Sequence, residues 1–295
     1  MSAVVAEDLG KRYGRRWALR HSTIEIPEGR VVGLVGANGA GKSTLLHLVV
    51  GLLEPSEGGV SVFGAPPGAG AEHLSRVGFL AQDAPVYASL TVAEHLRLGA
   101  RLNPRWNSAL ADRRIDHLGL DPELRAGRLS GGQRAQLALT LAMGKQPDLL
   151  VLDEPVSSLD PLARREFLQD LMALVAEQAT TVILSSHLLS DVERVCDHLV
   201  VQAEGQLRLD GPVDELLASH KVLTGPRRDT RTVPRDQHII RASHTERQTT
   251  LLVRTTQPIL DPRWVVSDIG LEDLVLAYMS TRDAGPSREL AAVSS

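Results

Sequence analysis

The residues Gly36-Ala37-Asn38-Gly39-Ala40-Gly41-Lys42-Ser43 fit G-x-x-x-x-G-K-[S/T] and lie between a short apolar run and an apolar helix. Glycines at these spacings let successive backbone N–H groups turn inward as an anion nest. The helix that begins near Gly41 and continues through Thr44 adds its positive end. Lys42 then reaches the outer phosphates of a triphosphate, and the Ser43 hydroxyl can ligate Mg²⁺. Farther along, Leu149-Leu150-Val151-Leu152 ends in Asp153-Glu154. Carboxylates at the end of a buried strand must face solvent or a site; here Asp153 is placed to hold Mg²⁺ through water and Glu154 to orient or deprotonate an attacking water. His187 follows another apolar run, in Leu184-Ser185-Ser186-His187, where it could donate to a terminal phosphate or serve a structural purpose. Leu129-Ser130-Gly131-Gly132-Gln133 offers a second glycine-rich helix start, and one triphosphate does not need two such devices from one chain.

These groups need a scaffold with strand ends along one edge. Val31-Val32-Gly33-Leu34-Val35, Leu149 to Leu152 and Thr181 to Leu184 are short continuous apolar strands, the pattern of a parallel sheet buried on both faces. Helices are expected over Thr44 to Leu53, Leu162 to Glu177 and Leu188 to Cys196, which gives a right-handed α/β order. Before them, Val4 to Ala6 and Ala18 to Ile26 read as a small antiparallel sheet. Residues 90–143 have helical spacing and form an inserted helical subdomain. The fold class is therefore α/β, a P-loop NTPase with a RecA-like, mostly parallel sheet. It carries an N-terminal antiparallel β subdomain, the helical insertion and a small α+β C-terminal extension. The expected boundaries are 1–220 for the nucleotide-binding domain and 221–295 for the extension. Within the extension, Ile239-Ile240, Leu251 to Val253 and Trp264 to Val266 are candidate strands. Leu271, Leu274, Val275, Tyr278 and Met279 share one helix face.

Composition narrows the function classes. The chain has 295 residues, 43% apolar and 23% charged, within the globular range. No apolar window reaches the roughly 18 to 20 residues that cross a bilayer, and the first residues have no leader pattern, so a cytoplasmic location is expected. A net charge of -4 argues against a nucleic-acid footprint, and no specific nucleic acid is expected. The single Cys196 rules out a disulfide framework and reads as a small buried side chain. Of 32 basic residues only Lys11, Lys42, Lys145 and Lys221 are lysines. Inside the loop, arginine's planar fork would not replace the slim ammonium of Lys42.

Taken in order, Gly36 to Ser43, Gln82, Ser130-Gly131-Gly132-Gln133, Asp153-Glu154, Ser158-Leu159-Asp160 and His187 resemble the nucleotide-binding subunits of ABC transporters over about residues 3–220. The resemblance implies ATP and Mg²⁺ as cofactors, with ATP hydrolysed to ADP and phosphate. It implies that Tyr13 stacks on adenine, with Trp17 as its rival, and that Gln82 senses Mg²⁺ and the attacking water. It implies that Ser130, Gly131, Gly132 and Gln133 close over ATP held by a second copy of the chain, and that Asp160 communicates between the two sites. Catalysis would fall to Glu154, His187 and Gln82, and Mg²⁺ to Ser43, Gln82 and Asp153. Ala37 and Val156 stand where the family often has proline and threonine; neither position is a ligand.

The same resemblance implies an integral membrane permease, with this chain peripheral on the inner face of the membrane. The helical subdomain and the segment Asp83 to Tyr87 would form its docking surface. Leu271 to Met279 and Ala84 to Arg101 look similar to ATPase subunits of bacterial ABC-2 type exporters, including drug and antibiotic efflux systems, which favours export. The Arg-rich residues 225–263 fit a solvated charged segment better than a lipid contact. The alternative is a soluble ABC ATPase of DNA repair, chromosome organisation or translation, or a regulator that binds ATP without turnover.

Overall fold

The fold, taken from a computed structural model, describes residues 1–83, 85–227 and 237–280. Ala84 of the expected docking segment, residues 228–236 of the Arg-rich run and residues 281–295 of the extension lie outside the described residues.

Strands β1 (Ser2–Tyr13) and β2 (Arg16–Pro27) form an antiparallel hairpin, and β3 (Val31–Val35) opens the central sheet. Helix α1 (Lys42–Val49) follows, then β4 (Glu57–Val62), α2 (Ala71–Arg76) and β5 (Val77–Leu80). The helical insertion contains α3 (Val92–Leu102), α4 (Ser108–His117) and α5 (Gly131–Gly144). The chain returns through β6 (Leu149–Asp153), α6 (Pro161–Gln178), β7 (Thr181–Ser186), α7 (Leu189–Val195), β8 (His198–Ala203), β9 (Gln206–Pro212) and α8 (Val213–Ser219). It closes with β10 (His220–Pro226), β11 (His238–His244), β12 (Gln248–Arg254), β13 (Val265–Asp268) and α9 (Leu271–Ser280).

The strands assemble into sheets of order β2-β1-β4, β5-β6-β7-β3-β8-β9 and β11-β12-β10-β13. In the central sheet β5, β6, β7, β3 and β8 run parallel, and β9 is antiparallel. The continuous apolar runs have a direct cause. Val32, Leu34, Leu149, Val151 and Ile183 enter a core under α1 and the N-terminal sheet, while Val31, Val35, Leu150, Leu152, Val182 and Leu184 enter the opposite core under α5, α6 and α7. Both faces are covered, so polar residues are confined to the strand ends, Asp153 on β6 and Thr181, Ser185 and Ser186 on β7.

Two helices are shorter than expected. α1 begins at Lys42 and gives way at Val50 and Gly51, and α7 stops before Cys196, whose backbone is extended. Cys196 is buried, and that burial, helped by Asp197 and Asp191, pushes its thiol pKa up, away from reactivity. In the insertion, Thr91 caps α3 in a reciprocal capping box with Glu94. Trp106 wedges between Gly99 of α3 and Gly144 at the end of α5, where a Cβ on either glycine would lie 2.6 or 2.8 Å from the indole. A side chain larger than glycine is excluded at both places.

The candidate strands of the extension are present, joined by β10, which the sequence reading missed. Helix α9 does not stand apart from the rest: Leu271, Leu274, Val275, Ala277 and Tyr278 belong to the same buried core as Leu152, Phe167 and Leu199. Tyr278 O–H donates to His220 Nε2 at 2.9 Å, and His220 Nδ1–H donates to the Leu216 carbonyl at 2.6 Å. A carbonyl can only accept, which places a hydrogen on Nδ1; burial disfavours a second one and leaves Nε2 to accept from the phenol. Burial, reinforced by Arg254 and opposed by the Leu216 carbonyl, lowers the His220 pKa; burial pushes the Tyr278 phenol up to about 12.

Candidate nucleotide site

The carboxyl ends of β3, β6 and β7 lie side by side, since Val35 pairs with Ser186 and Asp153 with Ser185. A crevice at that edge is where open α/β sheets bind ligands. Gly41 takes φ 102° as the N-cap of α1, and a Cβ there would lie 2.3 Å from the Ala18 carbonyl oxygen. Glycine is therefore required both for the turn and for the close approach of the N-terminal sheet. The Ala40 N–H turns back to the Ala37 carbonyl at 3.0 Å, and the Ala40 carbonyl accepts from the Gly205 N–H at 3.0 Å.

Lys42 is only 6% exposed. Its Nζ donates to the Gly36 carbonyl at 2.9 Å and lies 3.3 Å from Glu154 Oε1. The other Glu154 oxygen, Oε2, is 2.5 Å from His187 Nδ1. One buried carboxylate thus stands between an ammonium and an imidazole. The Glu154 backbone is left-handed, φ 49°, which costs an L-residue about 1–2 kcal/mol. That turn directs its N–H to Ser185 Oγ at 2.8 Å, and the same Oγ–H donates to Asp153 Oδ1 at 2.7 Å. Asp153 and Ser185 are fully enclosed. Behind His187, Asp191 in the first turn of α7 has its pKa raised by burial, which Arg164, Arg194 and His187 oppose. Arg164 Nε reaches it only at 4.0 Å.

Tyr13, Trp17, Asn38, Gly39, Gly41, Lys42, Ser43, Thr44, Gln82, Glu154 and His187 meet in one cleft of about 620 Å³, together with Arg16 and Ala18. Tyr13 is half exposed, with Lys11 Nζ 5.7 Å from its ring centre. The guanidiniums of Arg12 and Arg20 lie 5.4 and 5.9 Å from the Trp17 ring centre. Both aromatics reach the cleft, so the choice between them stays open.

The remaining expected residues are elsewhere. Ser130 and Gln133 form a reciprocal capping box on α5, at 2.9 and 3.2 Å. Gly131 lines a neighbouring hollow with Arg134, Pro155 and Ser158, and Gln82 borders both spaces. A Cβ on Gly132 would lie 3.2 Å from Ala163 of α6. Asp160 Oδ1 accepts from the Leu162 and Ala163 N–H groups at 3.0 Å and caps α6. Sequence reading missed Ser185, Arg16 and Asp191. Ser185 was visible only as a polar residue at the end of an apolar run.

The ABC transporter family model matches residues 19–157. The bacitracin transport ATP-binding protein BcrA of Bacillus licheniformis is 33% identical over 220 residues, spanning 73% of this chain and 72% of that protein. The chain belongs to the ABC transporter family. It is an ATP-binding subunit of that family, an ATPase coupled to transport. The thiamine import ATP-binding protein ThiQ of Aliivibrio fischeri is 33% identical over 203 residues, 67% of this chain and 87% of that one. A solved ATP-binding subunit of an ABC transporter superposes with TM-score 0.66 at 28% identity, covering 74% of this chain and 92% of the other. The central parallel sheet, the antiparallel N-terminal sheet and the helical insertion of this ABC subunit correspond to the fold expected from sequence.

Among the described residues of the ABC subunit, no group of three or more His, Cys, Asp or Glu could hold a metal unaided. One enclosed carboxylate, Asp153, and the Ser43 hydroxyl at the cleft fit Mg²⁺, which binds through one or two carboxylates together with phosphates and waters.

Proposed function

We propose that this ABC subunit hydrolyses ATP between two copies of itself and that the cycle drives a separate membrane permease, in the export direction. The observation that carries the hydrolytic part is the Lys42–Glu154–His187 cluster at the mouth of the phosphate loop, in which Lys42 and Glu154 are buried and His187 is open to the cleft. Lys42 is held by the Gly36 carbonyl and Glu154. A triphosphate in the loop would offer Lys42 more numerous and more highly charged acceptor oxygens and release Glu154 Oε1 to accept a proton. Water oxygen then bonds to the γ-phosphorus, the bond from that phosphorus to the β-bridging oxygen breaks, and the water proton passes to Glu154. His187 keeps the Glu154 carboxyl aimed and lines the same cleft, within reach of the departing phosphate. Ser43 and Asp153 would hold Mg²⁺, which supplies charge neutralisation at the phosphates. Tyr13 or Trp17 would stack on the base.

The two-copy reading is supported by the placement of Ser130, Gly131 and Asp160 outside the cleft. The start of α5 is a well-formed helix N-terminus with Gly131 facing open space, and a second copy would bring such a terminus over the γ-phosphate. No helix of the described residues is long and apolar enough to cross a membrane; the permease supplies that part. Coupling to such a permease would put this chain peripherally on the cytoplasmic face of the membrane. Export is favoured by the similarity of Leu271 to Met279 and Ala84 to Arg101 to ABC-2 type exporter subunits. Among the described residues, a soluble ATPase uncoupled from transport has no feature of its own, such as a long coiled-coil insertion.

The test is phosphate release by Glu154→Gln with MgATP. Turnover is expected to fall about a hundredfold or more while nucleotide still binds. Unchanged turnover would remove Glu154 as the base. Co-purification with a membrane protein after mild detergent extraction tests the coupling, and its failure would return the soluble reading to first place.

A further inference from the structure

The end of β7 holds a hydroxyl to which the hydrolytic scheme assigns nothing. Ser185 has no exposed surface and sits between strands that are otherwise apolar on both faces. Its polarity is fixed by its neighbours. A backbone N–H only donates and a carboxylate only accepts, so the single hydroxyl hydrogen goes to Asp153 Oδ1 and a lone pair takes the Glu154 N–H. The register explains why this residue and no other can do both. Asp153 is the direct partner of Ser185 across parallel β6 and β7, and Glu154 is the first residue beyond the ladder, where its backbone turns left-handed. Two residues later His187, on the same strand end, bonds the Glu154 carboxylate. Between them, Ser186 Oγ accepts from the Leu188 N–H at 3.0 Å and shapes the intervening turn. Backbone and side chain of Glu154 are thus both held from β7.

We infer that Ser185 is a positioning residue for ATP hydrolysis: one hydroxyl holds the Asp153 carboxylate in place for the metal and sets the left-handed turn that aims Glu154 at the water. This rests on the reading of Glu154 as base and Asp153 as metal holder. An apolar residue at 185 would preserve the strand and the core but release both acids at once. The effect belongs to turnover and metal affinity, because Ser185 itself does not line the nucleotide cleft.

The test uses the full chain with Ser185→Ala, Ser185→Thr and, alongside, Glu154→Gln. Steady-state phosphate release gives kcat and KM. Electron paramagnetic resonance of free Mn²⁺, with a non-hydrolysable ATP analogue present, gives metal affinity. Loss of an outer-shell hydrogen bond of this kind is expected to lower kcat about 10- to 100-fold and Mn²⁺ affinity about tenfold in Ser185→Ala, with metal-free analogue affinity unchanged. Ser185→Thr, which keeps the hydroxyl, should recover kcat to within about threefold of the parent. If Ser185→Ala does not fold, Ser185→Cys, close in volume to serine and a weak donor, is read in its place. The inference is overturned by parental kcat and Mn²⁺ affinity in Ser185→Ala, by analogue affinity that falls in step with kcat, or by a Thr variant as slow as Ala. Glu154→Gln separates the two levels. If it still turns over, the base reading fails; if it is inactive while Ser185→Ala is unimpaired, the role of Ser185 alone fails.

Discussion

At the carboxyl edge of the central sheet, Lys42, Asp153, Glu154, Ser185 and His187 gather where three strands end, and the Glu154 backbone is bent into a left-handed turn to reach them. At the junction of the C-terminal sheet with α9, His220 and Tyr278 are buried, and they satisfy one another and the Leu216 carbonyl. Both places bury polar groups. In the first, Lys42 is held by a carbonyl and a carboxylate that a triphosphate would outbid, so the cluster has capacity to exchange partners. In the second, every donor of the His–Tyr pair already has an acceptor, and the pair acts as a joint between α8, β10 and α9. The difference teaches which buried polar groups to read as chemistry: those with surplus valence facing a space, at a strained backbone.

Substitutions should separate these two kinds of site. Lys42→Ala is expected to have the largest effect, about a thousandfold or more loss of phosphate release through lost phosphate charge compensation, with little change in Tm. His187→Ala should lower kcat by about ten- to a hundredfold, since Glu154 loses its orienting partner, and phosphate-release assays at saturating ATP would show it. Tyr278→Phe should behave oppositely. It leaves turnover per folded molecule near the parent value but costs about 1–3 kcal/mol of stability, measured by chemical denaturation. If it abolished turnover while Tm held, the division between reactive site and joint would collapse.

The joint should also show itself through pH. The folded His220 pKa lies below its ordinary value of about 6.5. The unfolded chain therefore binds the extra proton first, and stability is fully present above about pH 6.5 and declines as pH falls through the folded pKa. Denaturation midpoints of the parent and of His220→Gln, followed from neutral to acid, should converge as that advantage disappears. The smallest effect is expected at Arg105→Ala. Asp148, held below the usual carboxylate range by Arg105 and Arg76 against its partial burial, keeps Arg76 in the variant. The loss should stay below about 1 kcal/mol.

Much of the nucleotide cleft was legible because its chemistry is local in sequence. A nest, a helix start, Lys42 and Ser43 occupy consecutive positions, and the doubly buried strands announce themselves as unbroken apolar runs. What stayed hidden depends on cross-strand register. Ser185 gains its meaning only from facing Asp153 across β6 and β7, and no periodicity encodes that pairing. Strand β10 was missed because it is half buried and mixes His220, Lys221 and Thr224 with Val222 and Leu223, so it has neither clean alternation nor a continuous apolar run. Cys196 was read as buried, which it is, but as part of a helix that ends one residue earlier. The separation of Ser130 and Asp160 from the phosphate loop was expected from the family resemblance, which assigned Ser130 to ATP held by a second copy, and from the redundancy of two helix starts for one triphosphate; spacing along the chain does not encode it.

Trp106, wedged against Gly99 and Gly144, has a mechanical consequence. It clamps α3 to the root of α5, which is itself packed into the core through Ala135, Ala138, Leu139 and Met143 and against Ala163 of α6 at Gly132. The helix therefore turns as one rigid rod with Ser130 and Gly131 at its far end. The 14 residues of α5 make that rod about 21 Å long, and each 10° of rotation about its root sweeps the tip through an arc of about 3.7 Å. A tilt of about 10° in the whole helix is thus geared up to a displacement longer than a hydrogen bond at Ser130.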